Sequence, residues 1–131
     1  MKDETRESVR QWRAKADSDW TTVQILLRDE QCPRDTVCFH CRQFVEKLLK
    51  ALLTRHDIEA PKTHDIRRLI QLAAPFAPGL SRFTDASDAL TVHRVETRYP
   101  GDWCEIEPTE MDEVVELAKE LGELLRSRLD E

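Results

Sequence analysis

The most apolar segment of the chain reads FHCRQFVEKLLKALL and spans residues 39–53. Apolar side chains recur at three- and four-residue steps along it and just before it, at Cys38, Cys41, Val45, Leu48 and Leu52. That spacing places them on one face of an α-helix. The pattern extends over residues 34–56, so we predict a long helix here and expect it at the centre of the fold.

Four further segments on either side of this one are also predicted to be helical. They cover residues 5–28, 65–73, 81–98 and a last stretch that begins at Pro108. We expect Thr63 to cap the short segment that starts at residue 65, because Thr is a favoured N-cap residue. Only 3 of the 131 residues are Gly, which argues against a turn-rich β architecture. The sequence therefore predicts one all-α domain over residues 1–131, an antiparallel bundle of four or five helices.

The charge balance limits the classes of partner. The chain has 20 basic and 26 acidic residues and a net charge of −6, which argues against coating nucleic acid through bulk charge but leaves room for a local basic site. The first residues lack the apolar run of a signal peptide, and no stretch is long and apolar enough to span a membrane. We expect a cytoplasmic protein with no membrane contact and with reduced cysteines.

Three short motifs occur in order along the chain. The central helix carries Gln43, Glu46-Lys47 and the run KALL at residues 50–53; residues 62–66 read KTHDI, and residues 97–101 read TRYPG. In order and spacing these motifs resemble the HEPN family in its bacterial and archaeal single-domain form. The resemblance implies a helical bundle that is usually dimeric and often encoded beside a small nucleotidyltransferase. Some members of the family are RNases of toxin–antitoxin pairs, and others are described as nucleotide-binding.

The RNase branch of the family carries an Arg followed, after four to six residues, by a His. Arg98 lies in the matching region, but positions 103–105 are Trp, Cys and Glu. The departure removes the group expected to transfer a proton. The same spacing occurs between Arg34 and His40 at the start of the second helix, but we do not take it as a match to the RNase motif. In some related pairs the nucleotidyltransferase modifies a Tyr after the motif histidine; Tyr99, the single Tyr here, follows Arg98 instead.

Basic and polar side chains form the first candidate site on the central helix. His40, Gln43, Lys47 and Lys50 follow one another at three- and four-residue steps and so share one face, roughly opposite the cysteines. Two ammonium groups flanking an amide suit phosphate oxygens. The alternative is a solvated face on which Glu46 and Lys50 form an ordinary helical ion pair.

Two other places complete the predicted nucleotide or phosphate site. Lys62 and His64 flank Thr63 at a predicted helix start, where free N–H groups favour an anion, although a plain capping arrangement explains them equally. Arg94 and Arg98 are one helical turn apart and adjoin Tyr99, which suits phosphate contact or, alternatively, complements the end of a helix.

A Cys-x-x-Cys pair, Cys38 and Cys41, invites a zinc site. Both cysteines lie on the core stripe of the central helix, and no second close pair exists in the chain. We therefore expect buried thiols, no metal and no cofactor.

Three functions remain open at this point. The favoured one is a HEPN-like subunit that forms a homodimer, binds a nucleotide or an RNA phosphate and partners a small nucleotidyltransferase in a toxin–antitoxin-type pair. The second is a metal-independent RNase toxin that uses Arg98 and a histidine brought near by folding, either His93 or His64. The third is a purely structural helical adaptor.

Overall fold

The computed structural model of the protein describes residues 1–92 and 105–131. Its elements are α1 (Asp3–Leu27), α2 (Arg34–Arg55), α3 (Ile66–Ala73), α4 (Asp88–Val92) and α5 (Pro108–Leu129). Two 3₁₀ turns, Ala74–Phe76 and Leu80–Phe83, lie between α3 and α4. The described ranges contain helices and turns without a strand, so the predicted all-helical bundle is confirmed.

Helix α2 lies at the centre, as the apolar pattern predicts. Of its 22 residues, 13 are buried, and Leu48, Leu49 and Leu52 are completely inaccessible to solvent. A helix that is buried around most of its circumference must be covered by other elements on several sides. Here α1, α5 and α3 supply that cover.

The contacts along α2 give the directions of its two long neighbours. Trp12 of α1 lies against Lys50, whereas Asp19 lies against His40 and Lys47, so α1 runs antiparallel to α2. Cys32, just before α2, contacts Met111, and Arg55 at its end binds the carbonyl of Arg128, so α5 runs in the same direction as α2. Helix α5 is therefore antiparallel to α1.

The tight packing of α5 on α2 depends on a glycine. A Cβ atom added at Gly122 would lie 2.5 Å from Cζ of Phe44, far inside van der Waals contact. Gly122 is buried, and its missing side chain leaves room for the Phe44 ring against the α5 backbone. Pro108 occupies the first turn of α5, and Glu107 and Glu110 form a reciprocal capping box there.

The segment after α3 differs from the helix predicted for residues 81–98. In the described part of this segment the structure has the 3₁₀ turn Leu80–Phe83 and the short helix α4 instead. Hydroxyl groups explain the interruption: Thr84 donates to the carbonyl of Ser81, and Ser87 donates to the carbonyl of Thr84. Such local bonds compete with a continuous helix. Phe83 and Leu90 still reach the core.

None of the described helices is long and apolar enough to cross a lipid bilayer.

Candidate functional site

Charged side chains are buried on the face of α2 that lies away from α5. Arg42 is 0% exposed, Glu46 3% and Lys50 7%. Burying a charge in a protein of this size is costly unless a partner compensates it. The groups that compensate these buried charges therefore determine which ligands this face can bind.

Glu46 is the centre of what we call the Glu46 cluster: Arg42, Glu46, Lys50 and His64. Its Oε1 accepts a 2.8 Å hydrogen bond from Nδ1 of His64 and lies 3.6 Å from Nη1 of Arg42. Its Oε2 accepts a 3.4 Å bond from Nζ of Lys50. The Lys50 ammonium also lies 5.7 Å from the centre of the Trp12 ring, in cation–π range. The cluster joins α2 to α1 and to the loop before α3.

Asp19 organises a second group, the Asp19 cluster: Asp19, His40 and Lys47. The Asp19 carboxylate is 7% exposed, and it accepts bonds of 2.8 Å from Nδ1 of His40 and 2.5 Å from Nζ of Lys47. Both donors stand on α2 seven residues apart, which places them two turns apart on one side of the helix. Asp19 thus joins the middle of α1 to α2 through two charge-assisted contacts.

The two clusters pair basic side chains with acidic ones. Arg42, Lys47 and Lys50 face two carboxylates, Asp19 and Glu46. An incoming anion therefore competes with an internal carboxylate for each of these basic groups.

Each cluster also contains a carboxylate–imidazole pair. In both, Nδ1 bonds to a buried carboxylate, so the proton belongs on that nitrogen and Nε2 is the acceptor in the neutral ring. The side chain of His64 is 57% exposed, and its Nε2 forms no hydrogen bond to the residues that the structure describes. A histidine oriented in this way is suited to accept or donate a proton at Nε2.

The other predicted site residues belong to neither cluster. Gln43 is half-buried on α2 between His40 and Lys47, and Lys62 is exposed two residues before His64. Arg94, Arg98 and Tyr99 lie outside the described residues, as do His93, Trp103 and Cys104. The alternative of a solvated face is wrong for Lys50 and Glu46: their predicted ion pair exists, but α1 and the α3 approach bury it.

The start of α3 differs from the predicted Thr63 cap. The N-cap is Asp65, whose carboxylate accepts from the backbone N–H of Arg68, while the Thr63 hydroxyl accepts from the N–H of Asp65. His64 is held against α2 by Glu46, so the backbone stays extended through Asp65, and the helix begins one residue later. The acidic cap disfavours an anion bound by the backbone N–H groups of α3, so an anion near this terminus would have to contact side chains instead.

The Cys-x-x-Cys pair lies in the core, as predicted. Cys38 is 1% and Cys41 0% exposed, and burial raises the pKa of the Cys41 thiol far above its ordinary value. Within residues 1–92 and 105–131 no three metal-binding side chains gather at one point.

Sequence reasoning missed Asp19 and Arg42 and treated Glu46 only as a surface partner. One signal was present: Ala16, Asp19 and Val23 follow at three- and four-residue steps on the buried stripe of α1. A carboxylate on a buried stripe requires a buried cation, and α2 offers several.

The family model for the HEPN domain matches residues 9–128, which is most of the sequence. Searches of curated proteins and of solved structures gave no significant match. The family match covers α1 from Val9 onward, the whole of α2, α3 and α4, and α5 except its last residue, and it includes both charged clusters.

Proposed function

Because the chain belongs to the HEPN family, we propose that it binds a nucleotide or an RNA phosphate and partners a small nucleotidyltransferase in a toxin–antitoxin-type pair. The family points to nucleotide- or RNA-related work, and the observation that carries the proposal is the burial of four charged side chains, those of Asp19, Arg42, Glu46 and Lys50, where α1, α2 and the α3 approach meet. A bundle needs no such cluster for folding, since apolar residues of similar volume stabilise a core at least as well.

Lys47 and His64 are the groups that an anion reaches first. The Lys47 side chain is 22% exposed and that of His64 57%, whereas those of Lys50 and Arg42 are 9% and 0% exposed. We expect a phosphate to contact Lys47 and His64 directly while Lys50 and Arg42 supply longer-range positive potential. We place Gln43 at the same site, with Lys62 and, from outside the described residues, Arg94, Arg98 and Tyr99 as further contacts.

Binding can be tested by titration with ATP, GTP and a short single-stranded RNA. Lys47→Ala should weaken binding by about tenfold, the loss of one charge-assisted contact. Arg98→Ala tests the contribution of the residues that follow α4, and Lys2→Ala, at an exposed position far from both clusters in sequence, is the matched control. Affinity that ignores both Lys47→Ala and Arg98→Ala would reject this site. Because few contacts carry the attraction, affinity should fall as salt rises.

One observation favours a second candidate, an RNase activity. The motif histidine after Arg98 is missing, yet Glu46 holds His64 with Nε2 free to act on a substrate proton. We expect the isolated protein to cleave single-stranded RNA poorly. Growth arrest on expression that disappears in both His64→Ala and Arg98→Ala would favour the RNase over the binding subunit.

The proposed assembly is a homodimer, as is frequent in this family. A specific dimer usually buries over about 1,200 Å² in total. Light scattering at micromolar concentration should give twice the mass of one chain, and a monomer would contradict the proposal. Co-purification with the product of a neighbouring nucleotidyltransferase gene tests the partnership.

A further inference from the structure

An apolar groove lies between α1 and α5. Both helices pack on α2, and the space between them is a cavity of about 390 Å³. Its apolar lining is Trp20 and Leu27 of α1, Phe44 of α2 and Val115 of α5. The Trp20 ring stacks on the buried Phe44 ring with centroids 4.7 Å apart, so it has a fixed support. Trp20, Leu27 and Val115 are only half-buried, so the groove offers apolar surface to an occupant.

The exposed side of α5 beside this groove is acidic. Asp112, Glu116, Glu120 and Glu123 follow one another at three- and four-residue steps, so they share one side of the helix. All four are exposed, and none forms a hydrogen bond or ion pair with a residue in the described ranges. Lys119 is the only basic residue between the first and the last of them. This side of α5 therefore has a clear excess of acidic groups, two of which line the groove.

The acidic side of α5 works against the stability of the helix. Glu116 stands four residues from both Asp112 and Glu120, a spacing at which like charges destabilise a helix and a Glu–Lys pair stabilises it. The other charged group of the lining, Arg126, is already paired with Asp17 at 2.6 Å and does not offset them. A basic group from outside the chain would relieve this repulsion, so the acidic side is better suited to a bound state than to the free protein.

The acidic side is longer than the groove beside it. The lining on α1, from Trp20 to Leu27, spans about 10 Å at the rise of an α-helix. The acidic side of α5, from Asp112 to Glu123, spans about 16 Å. An occupant that fills the groove and also meets these carboxylates must extend beyond the cavity. A protein segment has that extent, whereas a small molecule confined to the cavity does not.

The charge of this surface decides which class of partner fits it. Nucleic acids and anionic membranes carry phosphates, which the carboxylates repel. A second copy of the chain bound symmetrically through this face would place one acidic side against the other, because the two patches of such an interface are identical. Charge complementarity between partners favours the opposite sign. The surface therefore suits a basic segment of a different protein.

We propose that the α1–α5 groove is a docking site for a short segment of another protein, one that presents apolar side chains flanked by lysines or arginines. The apolar side chains pack on Trp20, Leu27 and Val115. The basic ones pair with Glu116 and Glu123 at the edge of the groove. The groove shares no lining residue with either charged cluster, so this surface is additional to the phosphate site proposed above.

The direct test is a titration with synthetic peptides, observed by NMR at the tryptophan indoles. The probe is a peptide of about three helical turns, with leucines at three- and four-residue steps and lysines at the other positions. One control peptide replaces the lysines by glutamates, and the other replaces the leucines by serines. The Trp20 indole signal, assigned with Trp20→Phe, should move and saturate with the leucine–lysine peptide, while the Trp12 signal stays in place. A stationary Trp20 signal at millimolar probe, or an equal response to either control peptide, would overturn the proposal.

Charge variants of α5 locate the binding. Glu116→Gln combined with Glu123→Gln should weaken binding of the leucine–lysine peptide by about tenfold, through the loss of two exposed ion pairs. Glu4→Gln combined with Glu59→Gln removes two exposed carboxylates elsewhere and is the matched control. Lys119→Glu should tighten binding, which a substitution that only loosens the fold cannot do. Unchanged affinity in both α5 variants, or an equal loss in the control, would overturn the assignment.

Lys47→Ala separates this surface from the proposed phosphate site. It should weaken ATP binding and leave the response of Trp20 to the peptide unchanged, because Lys47 does not line the groove. The two proposals can therefore fail independently. Loss of the peptide response in Lys47→Ala would overturn the docking site as a separate surface.

Discussion

The Glu46 cluster and the surface group of Arg67, Asp85 and Asp88 contain the same chemistry in opposite environments. Arg67 binds Asp88 at 2.8 Å and Asp85 at 3.0 Å, distances shorter than most of those around Glu46. Both aspartates are at least half exposed, whereas Glu46 is almost completely buried. Water can replace the partner of a surface charge at little cost, even where the contact is short. Water cannot reach a buried carboxylate, so its longer contacts are not replaced when they are lost. Burial, and not distance, should therefore rank the effects of substitutions.

The largest expected effect is at Glu46. Glu46→Gln removes the carboxylate that pairs with Lys50 and leaves buried positive charge beside Arg42, so the free energy of unfolding should fall by about 3–5 kcal/mol. Urea denaturation followed by circular dichroism measures the change. Glu120→Gln, at an exposed position of α5, is the matched control. A loss below about 1 kcal/mol at Glu46 would mean that water reaches the cluster and that burial does not set the ranking.

The opposite face of α2 provides an apolar reference for that value. Leu48 is 0% exposed, and Leu48→Ala should cost about 2–5 kcal/mol if the cavity cannot collapse. The same denaturation experiment applies, and Leu117→Ala, at a half-buried position of α5, should cost less. A change of only a few tenths of a kcal/mol at Leu48 would show that its side chain is not part of the packed core.

The stability cost of a substitution at Asp19 should lie between the cost at the buried Glu46 and the cost at the exposed surface group. Its carboxylate is buried, but its partners His40 and Lys47 are about one quarter and one fifth exposed and can turn to water. Asp19→Asn should therefore cost about 1.5–3 kcal/mol, the range of a hydrogen bond to a charged group. A cost as large as that of Glu46→Gln would show that α1 depends on this contact as strongly as α2 depends on Glu46.

The smallest effect is expected at the surface group, and it should depend on pH. The hydrogen bond from Arg67 lowers the pKa of Asp88 below its ordinary 3.8. A lowered folded-state pKa stabilises the fold above about pH 3.8, and the contribution disappears as pH falls through the lower folded value. In Arg67→Ala the Asp88 pKa measured by NMR should rise toward 3.8, and stability at neutral pH should hardly change. An Asp88 pKa that does not respond would remove Arg67 as its cause.

Local patterns in the sequence determined most of the helical framework. The ends of α1 and α2 fall within two residues of the predicted ones, and α5 begins at Pro108 as expected, because periodicity and proline act within one helix. The burial of Cys38, Cys41 and Leu48 followed from the same periodicity. The split of the predicted 81–98 helix depended on hydroxyl groups of Thr84 and Ser87, whose choice between helix and local turn the pattern does not reveal.

Only the tertiary structure decided what the charged face of α2 does. The spacing of His40, Lys47 and Lys50 is the same whether that face meets water or another helix. Folding brings Asp19 and His64 from elements that are distant in sequence, and these contacts turn a row of predicted surface groups into two partly buried clusters of paired charges. Sequence periodicity reports which residues share a face, but the dielectric environment and the partners of that face arise only when the helices pack.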